Sequence, residues 1–264
     1  MLRRFTLAVT FLTGLPLPVR GEAGEDDLWG SMAWYPLVGL GLGAVGWGLY
    51  EGLGWLAPPL VAAALVVVLL ELFTRALHLD GLMDTCDGYF SGAPRERALE
   101  IMKDSRSGAM GVFGAIAVIL MKVVALASLS RTQAFLPLVL GWSAARALPP
   151  LDLRLFAYAR AAVAVPDEAA GTGAPFARAA GSGPLVVALT TLAVVAAALG
   201  MALGEPAAVA ILLMFAFVVP LAAQVPVSRR LGGLTGDVYG MGIELAEAAA
   251  LVAASAMVWH GWSL

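Results

Sequence analysis

The sequence has a single cysteine, Cys86, and only two histidines. One cysteine cannot form a disulfide within the chain, and it excludes the metal sites that need several thiolates. Positive charge is not in excess either, because 16 lysines and arginines stand against 19 aspartates and glutamates, for a net charge of -3. A nucleic-acid-binding protein concentrates lysine and arginine on one surface, so we expect no nucleic acid partner.

Charged residues of both signs make up only 13% of the 264 residues, whereas hydrophobic residues make up 60%. An ordinary soluble domain has about 45–50% apolar and about 25% charged residues. The apolar excess lies in long blocks, without the alternation of a half-buried strand or the heptads of a coiled coil. The sequence therefore predicts a protein whose solvent is the lipid bilayer.

Seven apolar blocks approach the length of about 20 residues that a transmembrane helix needs. They cover residues 31–56, 59–79, 107–130, 133–148, 184–203, 206–227 and 243–262. We predict an all-α, polytopic integral membrane protein of about seven transmembrane helices, with a range of six to eight. It is expected to form a single domain over residues 1–264.

The N-terminal residues imitate a signal peptide, because Arg3 and Arg4 precede an apolar stretch at residues 5–15. No small-x-small cleavage site follows, and Pro16 and Pro18 stand in its place. We therefore expect this stretch to be an interfacial or re-entrant segment of the mature protein.

Lysine and arginine predict the orientation, since cytoplasmic loops of membrane proteins carry an excess of both. With the N-terminus inside, most of these residues fall on the inner side, where the main loops are residues 80–106, 149–183 and 228–242. The connections on the other side are only a few residues long. We expect the chemistry of the protein to face the cytoplasm.

The densest polar segment, residues 78–88, contains Asp80, Asp84 and Asp87. On a helix, positions i, i+4 and i+7 project from one face. Three carboxylates at close range repel one another unless a cation neutralises them, and hard oxygen ligands select Mg²⁺ or Mn²⁺. The pattern predicts a metal site, and the alternative is a solvated acidic turn just outside the membrane.

The same loop ends with Lys103, Asp104, Ser105 and Arg106. The lysine supplies a point charge and the arginine a planar fork, and both suit phosphate oxygens. Asp104 is a further candidate metal ligand. Lysine and arginine at the mouth of a span are equally typical of topology determinants and of contacts with lipid headgroups.

A glycine-rich connection precedes the last block and contains Gly233, Thr235 and Asp237. Backbone amides in such a loop, and the N-terminus of the following helix, can hold a phosphate. The Lys-Ser/Thr pair of a Walker sequence is absent. A plain turn between two helices is the alternative interpretation.

Glu71, Arg75 and His78 share one helical stripe in the second block, and we expect Glu71 and Arg75 to neutralise each other. On an unbroken helix the Asp80 stripe would lie about 180° away. Either the helix breaks near Gly81, or the two stripes serve different ends. His78 is a candidate general base, and a hydrogen-bonded structural histidine is the alternative.

Six segments spread along nearly the whole chain carry a resemblance to a known family. They are residues 11–16, 35–39, 77–88, 101–106, 158–160 and 232–237. On these residues the chain resembles the cobalamin synthases, that is, the adenosylcobinamide-GDP ribazoletransferases. Arg75 and Ala76 depart from the family pattern, in which small residues, often glycine, are expected.

The resemblance implies a Mg²⁺-dependent enzyme of the bacterial inner membrane that joins adenosylcobinamide-GDP to α-ribazole or α-ribazole 5′-phosphate and releases GMP. It implies Mg²⁺ on Asp80, Asp84 and Asp87, with Asp104 or Asp237 completing the site. His78 or a metal-bound carboxylate would accept the proton of the attacking hydroxyl. The residues implied to bind substrate phosphates are Lys103, Ser105, Arg106, Arg160, Gly233 and Thr235. A homo-oligomer is compatible with the sequence.

Other functions fit the residues less well. CDP-alcohol phosphotransferases also combine acidic clusters with Mg²⁺, but their signature has an Ala-Arg pair that does not follow Asp80 and Gly81 here. Membrane prenyltransferases have paired aspartate motifs in separate loops, and only one such motif is plain here. A non-catalytic corrinoid carrier should place its polar residues at the bilayer midplane, whereas the long polar loops here all lie on one side.

Overall fold

The computed structural model describes residues 1–19, 21, 23–159 and 181–264, and within them the predicted all-α class is confirmed. The β contact recorded there is a single bridge between Tyr158 and Leu234. A 3₁₀ turn, Met32–Trp34, joins the second helix to the third. The helices are α1 (Leu2–Leu12), α2 (Glu25–Ser31), α3 (Tyr35–Leu53), α4 (Pro59–Phe73), α5 (Leu77–Phe90), α6 (Arg95–Ile101), α7 (Ala109–Ala127), α8 (Phe135–Leu155), α9 (Gly183–Leu203), α10 (Pro206–Leu231) and α11 (Gly236–Trp259).

The polytopic membrane architecture is also confirmed, although the number of spans depends on how one bent pair is counted. Five stretches of the described chain are long and apolar enough to cross a bilayer, namely residues 25–53 and the helices α7, α9, α10 and α11. Helices α4 and α5 pass the same test together, but they are bent by 90° relative to each other. By length and composition the count is five, or six with the bent pair.

The predicted span at residues 133–148 forms the centre of the bundle rather than a lipid-facing helix. It belongs to α8, in which every residue from Leu136 to Pro150 is buried. Helices α3, α9, α10 and α11 all pack against it. A helix surrounded by protein presents no apolar surface to lipid, so α8 can contain Arg146 and Asp152.

Two glycines bring α3 and α8 into backbone contact. A Cβ atom at Gly39 would overlap the main chain of Trp142, and one at Gly43 would overlap the main chain of Leu138. Small residues are what allows helix backbones to approach this closely inside a membrane. The position of the central helix therefore depends on these two side-chain-free sites.

Replacing Gly43 by alanine is expected to destabilise the protein by about 1–3 kcal/mol, because the added methyl group must push two backbones apart. Gly41→Ala is the matched control, since nothing lies within 4 Å of that position and alanine favours a helix over glycine by about 1 kcal/mol. Thermal or denaturant unfolding in detergent measures both variants. Equal stability of the two would contradict the close contact.

The N-terminal helix α1 is only 11 residues long, which is too short to cross a bilayer. Its buried residues, Ala8 and Leu12, lie on the side that packs against α2 and α3. This short, docked helix is consistent with the predicted interfacial or re-entrant segment.

The second apolar block is broken between α4 and α5, and not near Gly81. Arg75 and Ala76 have φ angles of 55° and 52°, a left-handed conformation that costs a non-glycine residue about 1–2 kcal/mol. The turn is held because the Thr74 hydroxyl and the Ala76 N–H both donate to the carbonyl of Glu71, at 3.0 and 2.7 Å. Arg75 and Ala76 are also two of the departures from the family pattern, in which alanine is expected at Met83 as well, and a left-handed backbone explains why glycine is expected at 75 and 76.

The three predicted loops contain more helix than expected. In residues 80–106 the chain forms most of α5 and all of α6, and in residues 228–242 only four residues separate α10 from α11. The glycines of the latter segment serve close packing: a Cβ on Gly240 would lie 3.0 Å from the carbonyl oxygen of His78. The third loop, 149–183, begins inside α8, and its residues 160–180 are outside the described part of the chain.

Candidate functional site

The three predicted aspartates lie on one uninterrupted helix. Asp80, Asp84 and Asp87 all belong to α5, which runs from Leu77 to Phe90, so their spacing puts them on the same face. Asp80 is exposed, and the other two are partly exposed. This acidic face is therefore reachable from solvent.

Asp87 joins the acidic face to the start of α7. One of its carboxylate oxygens accepts the N–H of Gly108 at 2.6 Å, and the other accepts the N–H of Gly111 at 2.8 Å. These amides belong to the first turn of α7, where backbone N–H groups have no partner within the helix. Asp87 thus caps α7 from a distant part of the chain, which is a structural role beside its predicted catalytic one.

Asp237 lies beside α5 because α11 packs closely against that helix. A Cβ atom at Gly81 would lie 2.6 Å from the carbonyl oxygen of Asp237. Thr235, which precedes α11, donates its hydroxyl to the Asp237 carboxylate at 3.1 Å. Of the two carboxylates expected to complete a metal site, Asp237 is the one that packs directly against α5.

The other candidate, Asp104, is engaged with Arg106. The guanidinium donates from Nε to Oδ1 at 3.0 Å and from Nη2 to Oδ2 at 2.7 Å, and the Arg106 N–H also reaches Oδ1 at 3.0 Å. Hydrogen bonding to Arg106 lowers the pKa of Asp104 to about 2, so this carboxylate is ionised at neutral pH. The predicted metal ligand and the predicted phosphate ligand therefore satisfy each other, in an exposed loop that also contains Lys103 and Ser105.

The glycine-rich segment before α11 is fixed by main-chain hydrogen bonds. Gly233 has a φ angle of 144°, and its N–H donates to the carbonyl of Ser228 at 2.9 Å. The Leu234 N–H donates to the carbonyl of Ala157 at 2.8 Å. Arg95 holds the same segment by donating to the carbonyl of Leu231 at 2.6 Å. The amides of Gly233 and Leu234 are thus already used, whereas the predicted anion cradle needs them.

Thr235 is fully buried and directly precedes the first turn of α11. Its hydroxyl donates a hydrogen bond to the Asp237 carboxylate, and this bond orients that carboxylate. Arg160, the remaining predicted phosphate ligand, lies outside the described residues.

A cavity of about 240 Å³ connects several of these residues. His78, Asp80 and Asp237 all line it, together with Gly81 and Gly236. His78 is only 4% exposed, so it lies in the interior of the cavity, whereas the exposed Asp80 lies at the mouth. The structure thus brings the candidate general base and two of the candidate metal ligands to one space.

A second polar cluster, which the sequence analysis did not predict, lies inside the bundle. The Lys122 ammonium is completely buried and lies 3.0 Å from Glu71, 2.7 Å from Glu244 and 2.6 Å from Glu247. Arg146 pairs with Glu247 as well. We call these five residues the buried ion cluster. The signal was present in the sequence, because ionisable residues inside apolar spans are rare and nearly always paired.

The buried ion cluster shows that the predicted pair of Glu71 with Arg75 is wrong, and it bears on the predicted metal site. Glu71 pairs with Lys122 and not with Arg75, because the bend after Phe73 leaves Arg75 exposed. Among the described residues, one group of three metal-binding side chains has ligand atoms within 4.8 Å of one another, and it consists of Glu71, Glu244 and Glu247. The Lys122 ammonium already supplies the cation there. The carboxylates on the acidic face of α5 lie farther apart than those of this group.

The bundle and its polar residues define a class of protein: a helical, multi-span membrane protein with a cavity that carboxylates line where α5 meets the N-terminus of α11. Comparison with known proteins gives the family. The family model described as Cobalamin-5-phosphate synthase matches residues 4–255. The chain belongs to this family, which confirms the resemblance seen in the sequence.

Individual relatives match over nearly their whole length. A protein of Desulfitobacterium hafniense is 35% identical over 98% of both chains. One of Brevibacillus brevis is 36% identical over 97% of this chain and 98% of its own, and one of Citrobacter koseri is 36% identical over 96% and 99%. All three are named adenosylcobinamide-GDP ribazoletransferase. No solved structure matches the chain.

Proposed function

We propose that this protein joins adenosylcobinamide-GDP to α-ribazole or α-ribazole 5′-phosphate, giving adenosylcobalamin or its 5′-phosphate and releasing GMP. The observation that carries the proposal is the match to relatives of that name over nearly the full length of both chains. The carboxylate-lined cavity beside α5 supports it, because phosphoryl transfer needs charge neutralisation and a proton acceptor in one place.

The reaction is a displacement at phosphorus. The ribose 3′-hydroxyl of ribazole attacks the phosphate attached to the aminopropanol arm of the corrinoid. The bond from this phosphorus to the bridging oxygen breaks, and GMP leaves with the electron pair, while the hydroxyl proton passes to a base. The protein therefore has to hold the diphosphate, align the hydroxyl and receive one proton.

Three carboxylates beside the cavity are the ligands that we propose for a divalent cation. Asp80 and Asp84 share one face of α5, and Gly81 allows Asp237 to approach the same helix. Magnesium is usually held by one or two carboxylates, with water and substrate phosphates as the other ligands, so an open set of three is sufficient before substrate binds. We assign Mg²⁺ to Asp80, Asp84 and Asp237. When bound, it would supply neutralisation of the charge that develops on the phosphates.

Two residues of the original ligand set receive other roles in this proposal. Asp87 positions α7 against the acidic face, because both of its oxygens accept amide hydrogen bonds. Asp104 holds Arg106 until a substrate arrives. Ion pairs between exposed side chains are weak, so a diphosphate can replace Asp104 at the guanidinium of Arg106, with Lys103 and Ser105 beside it.

His78 and Asp80 are the two proton acceptors available to the attacking hydroxyl. Both line the cavity, and either can meet a ribose that sits at its mouth. A general base must come within hydrogen-bonding reach of the proton that it removes, and we propose His78 or Asp80 for this role.

We further propose that the protein resides in a bacterial inner membrane with this cavity facing the cytoplasm. The distribution of lysine and arginine over the connections supports the orientation, and the relatives of the chain are bacterial proteins. The substrates would then meet the protein at the membrane surface rather than in the hydrocarbon.

The test uses the purified chain in detergent or nanodiscs with adenosylcobinamide-GDP, α-ribazole and either Mg²⁺ or a chelator. We expect GMP and the coupled corrinoid in equal amounts, only with Mg²⁺ and only with both substrates. GMP release without ribazole would indicate a hydrolase. Corrinoid binding without any GMP release would indicate a carrier, and either result would contradict the proposal.

A further inference from the structure

Most of the interior of the cavity beside α5 has no role in the reaction proposed above. Of the residues that line it, His78, Asp80 and Asp237 take part in that reaction. The interior lies between α1, the start of α3 and the start of α11, and its walls are largely apolar. The residues that form those walls include Phe11, Leu12, Met32, Leu77 and Ile243.

The volume limits what the interior can hold. Binding sites for drug-sized ligands usually span about 300–1,000 Å³, and this cavity has about 240 Å³. A corrin ring or a complete nucleotide is too large for it, whereas one planar ring system fits. The ring of Tyr35 is already stacked on Phe11, with centroids 6.1 Å apart and an interplanar angle of 13°, so one wall of the space is aromatic.

Three buried polar atoms of the cavity residues have no hydrogen-bond partner among the described residues. They are the hydroxyls of Tyr35 and Tyr239 and the Nδ1 atom of His78. The three side chains are 1%, 6% and 4% exposed, so bulk solvent does not satisfy them. The atoms themselves have almost no accessible surface, so a ligand in the cavity would bond them after a rotation of these side chains toward it, which their unmet hydrogen-bonding capacity favours.

We propose that this cavity binds the benzimidazole base of α-ribazole, which places the ribose at the mouth beside Asp80 and Asp237. The inference rests on the proposed function, and it adds the location and the chemical class of the nucleoside site. A benzimidazole riboside is a flat, mainly apolar bicycle with one free ring nitrogen. Apolar walls, an aromatic face and a few hydrogen-bonding groups match this chemistry.

Guanine, the base of the departing GMP, matches the interior less well. Its edge carries several N–H donors, and a buried site for guanine would need acceptors for them. The carboxylates that line the cavity, Asp80 and Asp237, are at the mouth and not in the interior. The base that requires fewer polar partners is therefore the better occupant.

Tyr239→Phe tests the proposal, because it removes a hydroxyl that has no partner in the structure. The variant should be as stable as the wild type, since no hydrogen bond is lost. The KM for α-ribazole should rise about three- to tenfold, which is the usual worth of one net hydrogen bond, while the KM for adenosylcobinamide-GDP stays the same. The rise in melting temperature that α-ribazole produces in the wild type should shrink in the variant.

The matched control is Tyr50→Phe. Tyr50 is also buried, but its hydroxyl donates to the carbonyls of Leu126 and Leu129 at 3.0 and 3.1 Å. This variant should lose stability and keep its KM for α-ribazole. If Tyr50→Phe raised the KM for α-ribazole and Tyr239→Phe did not, the KM would follow stability and not the cavity, and the proposal would be contradicted.

Leu77→Trp is a second, independent test, because it fills the cavity from a residue that is 37% exposed and so has room to adapt. It should abolish the stabilisation by α-ribazole, whereas Leu72→Trp, on exposed α4 surface away from the cavity, should not. If either cavity variant changed the KM for the GDP substrate and left that for ribazole alone, guanine would occupy the cavity and the inference would be overturned. Unchanged ribazole binding in an active enzyme would also overturn it, whereas an inactive wild type would instead contradict the proposed function.

Discussion

Replacing Lys122 by methionine is expected to destabilise the protein by about 3–5 kcal/mol, the cost of leaving buried charges without their partner. The ammonium is completely buried and bonds Glu71, Glu244 and Glu247, which come from α4 and α11. Methionine has a similar length and no charge, so the three carboxylates would face one another in the interior. The loss is measured as the shift in denaturant or thermal unfolding of the detergent-solubilised protein.

The design of the control follows from the same contacts. Lys103→Met removes an exposed lysine, and its stability should stay within about 0.5 kcal/mol of the wild type. Combining Lys122→Met with Glu244→Gln and Glu247→Gln should recover part of the loss, because two of the uncompensated charges are gone. If Lys122→Met alone left stability unchanged, the ion cluster would not hold α4, α7 and α11 together.

Replacing Asp84 by asparagine should reduce kcat by on the order of 10³-fold or more, equivalent to about 4 kcal/mol of transition-state stabilisation. The side chain keeps its size but loses the negative charge that a divalent cation requires. Asp84 belongs to the partly exposed acidic face, so the protein should fold as the wild type does. Single-turnover release of GMP from adenosylcobinamide-GDP measures the effect.

Glu100→Gln is the control, because Glu100 is an exposed carboxylate on α6 that pairs with Arg97. It should leave turnover within a factor of about two, as a weak surface ion pair implies. Asp87→Asn should differ from both, since the loss of one of the two amide hydrogen bonds to α7 lowers stability as well as rate. Normal turnover in Asp84→Asn at limiting Mg²⁺ would remove this residue from the metal site.

The sequence was sufficient to predict the parts of the fold that depend on apolar length. The predicted blocks 107–130, 184–203 and 206–227 become helices α7, α9 and α10 with ends shifted by only a few residues. These helices face lipid, so their composition follows directly from the solvent. The same rule does not describe α8, because its surroundings are protein and its apolar content is free to vary.

The break after Phe73 could not be located from the sequence. Arg75 and Ala76 are ordinary helix formers, and their left-handed backbone is imposed by the packing of α5 against α7 and α11. The only signal was their disagreement with the family pattern. A break near Gly81 was one of two alternatives, and this residue lies inside α5, where the absence of a side chain admits the backbone of Asp237.

The candidate site was predictable in its residues and less so in its contacts. Regular spacing along one helix places Asp80, Asp84 and Asp87 on one face, since that depends on local geometry alone. The capping of α7 by Asp87 and the pairing of Glu71 with Lys122 join residues more than 20 positions apart. Such contacts follow from tertiary packing, which no local pattern records.

The right-angle turn between α4 and α5 has one more consequence. With α4 along the bilayer normal, a helix bent by 90° from it runs parallel to the membrane plane, and the carboxylates on one of its faces lie at one depth. An amphiphilic molecule with a bulky ring system at one end and phosphates at the other could then reach α5 by diffusing within the plane of the membrane. Its phosphates would then reach the carboxylates of α5 without entering the hydrocarbon core of the bilayer.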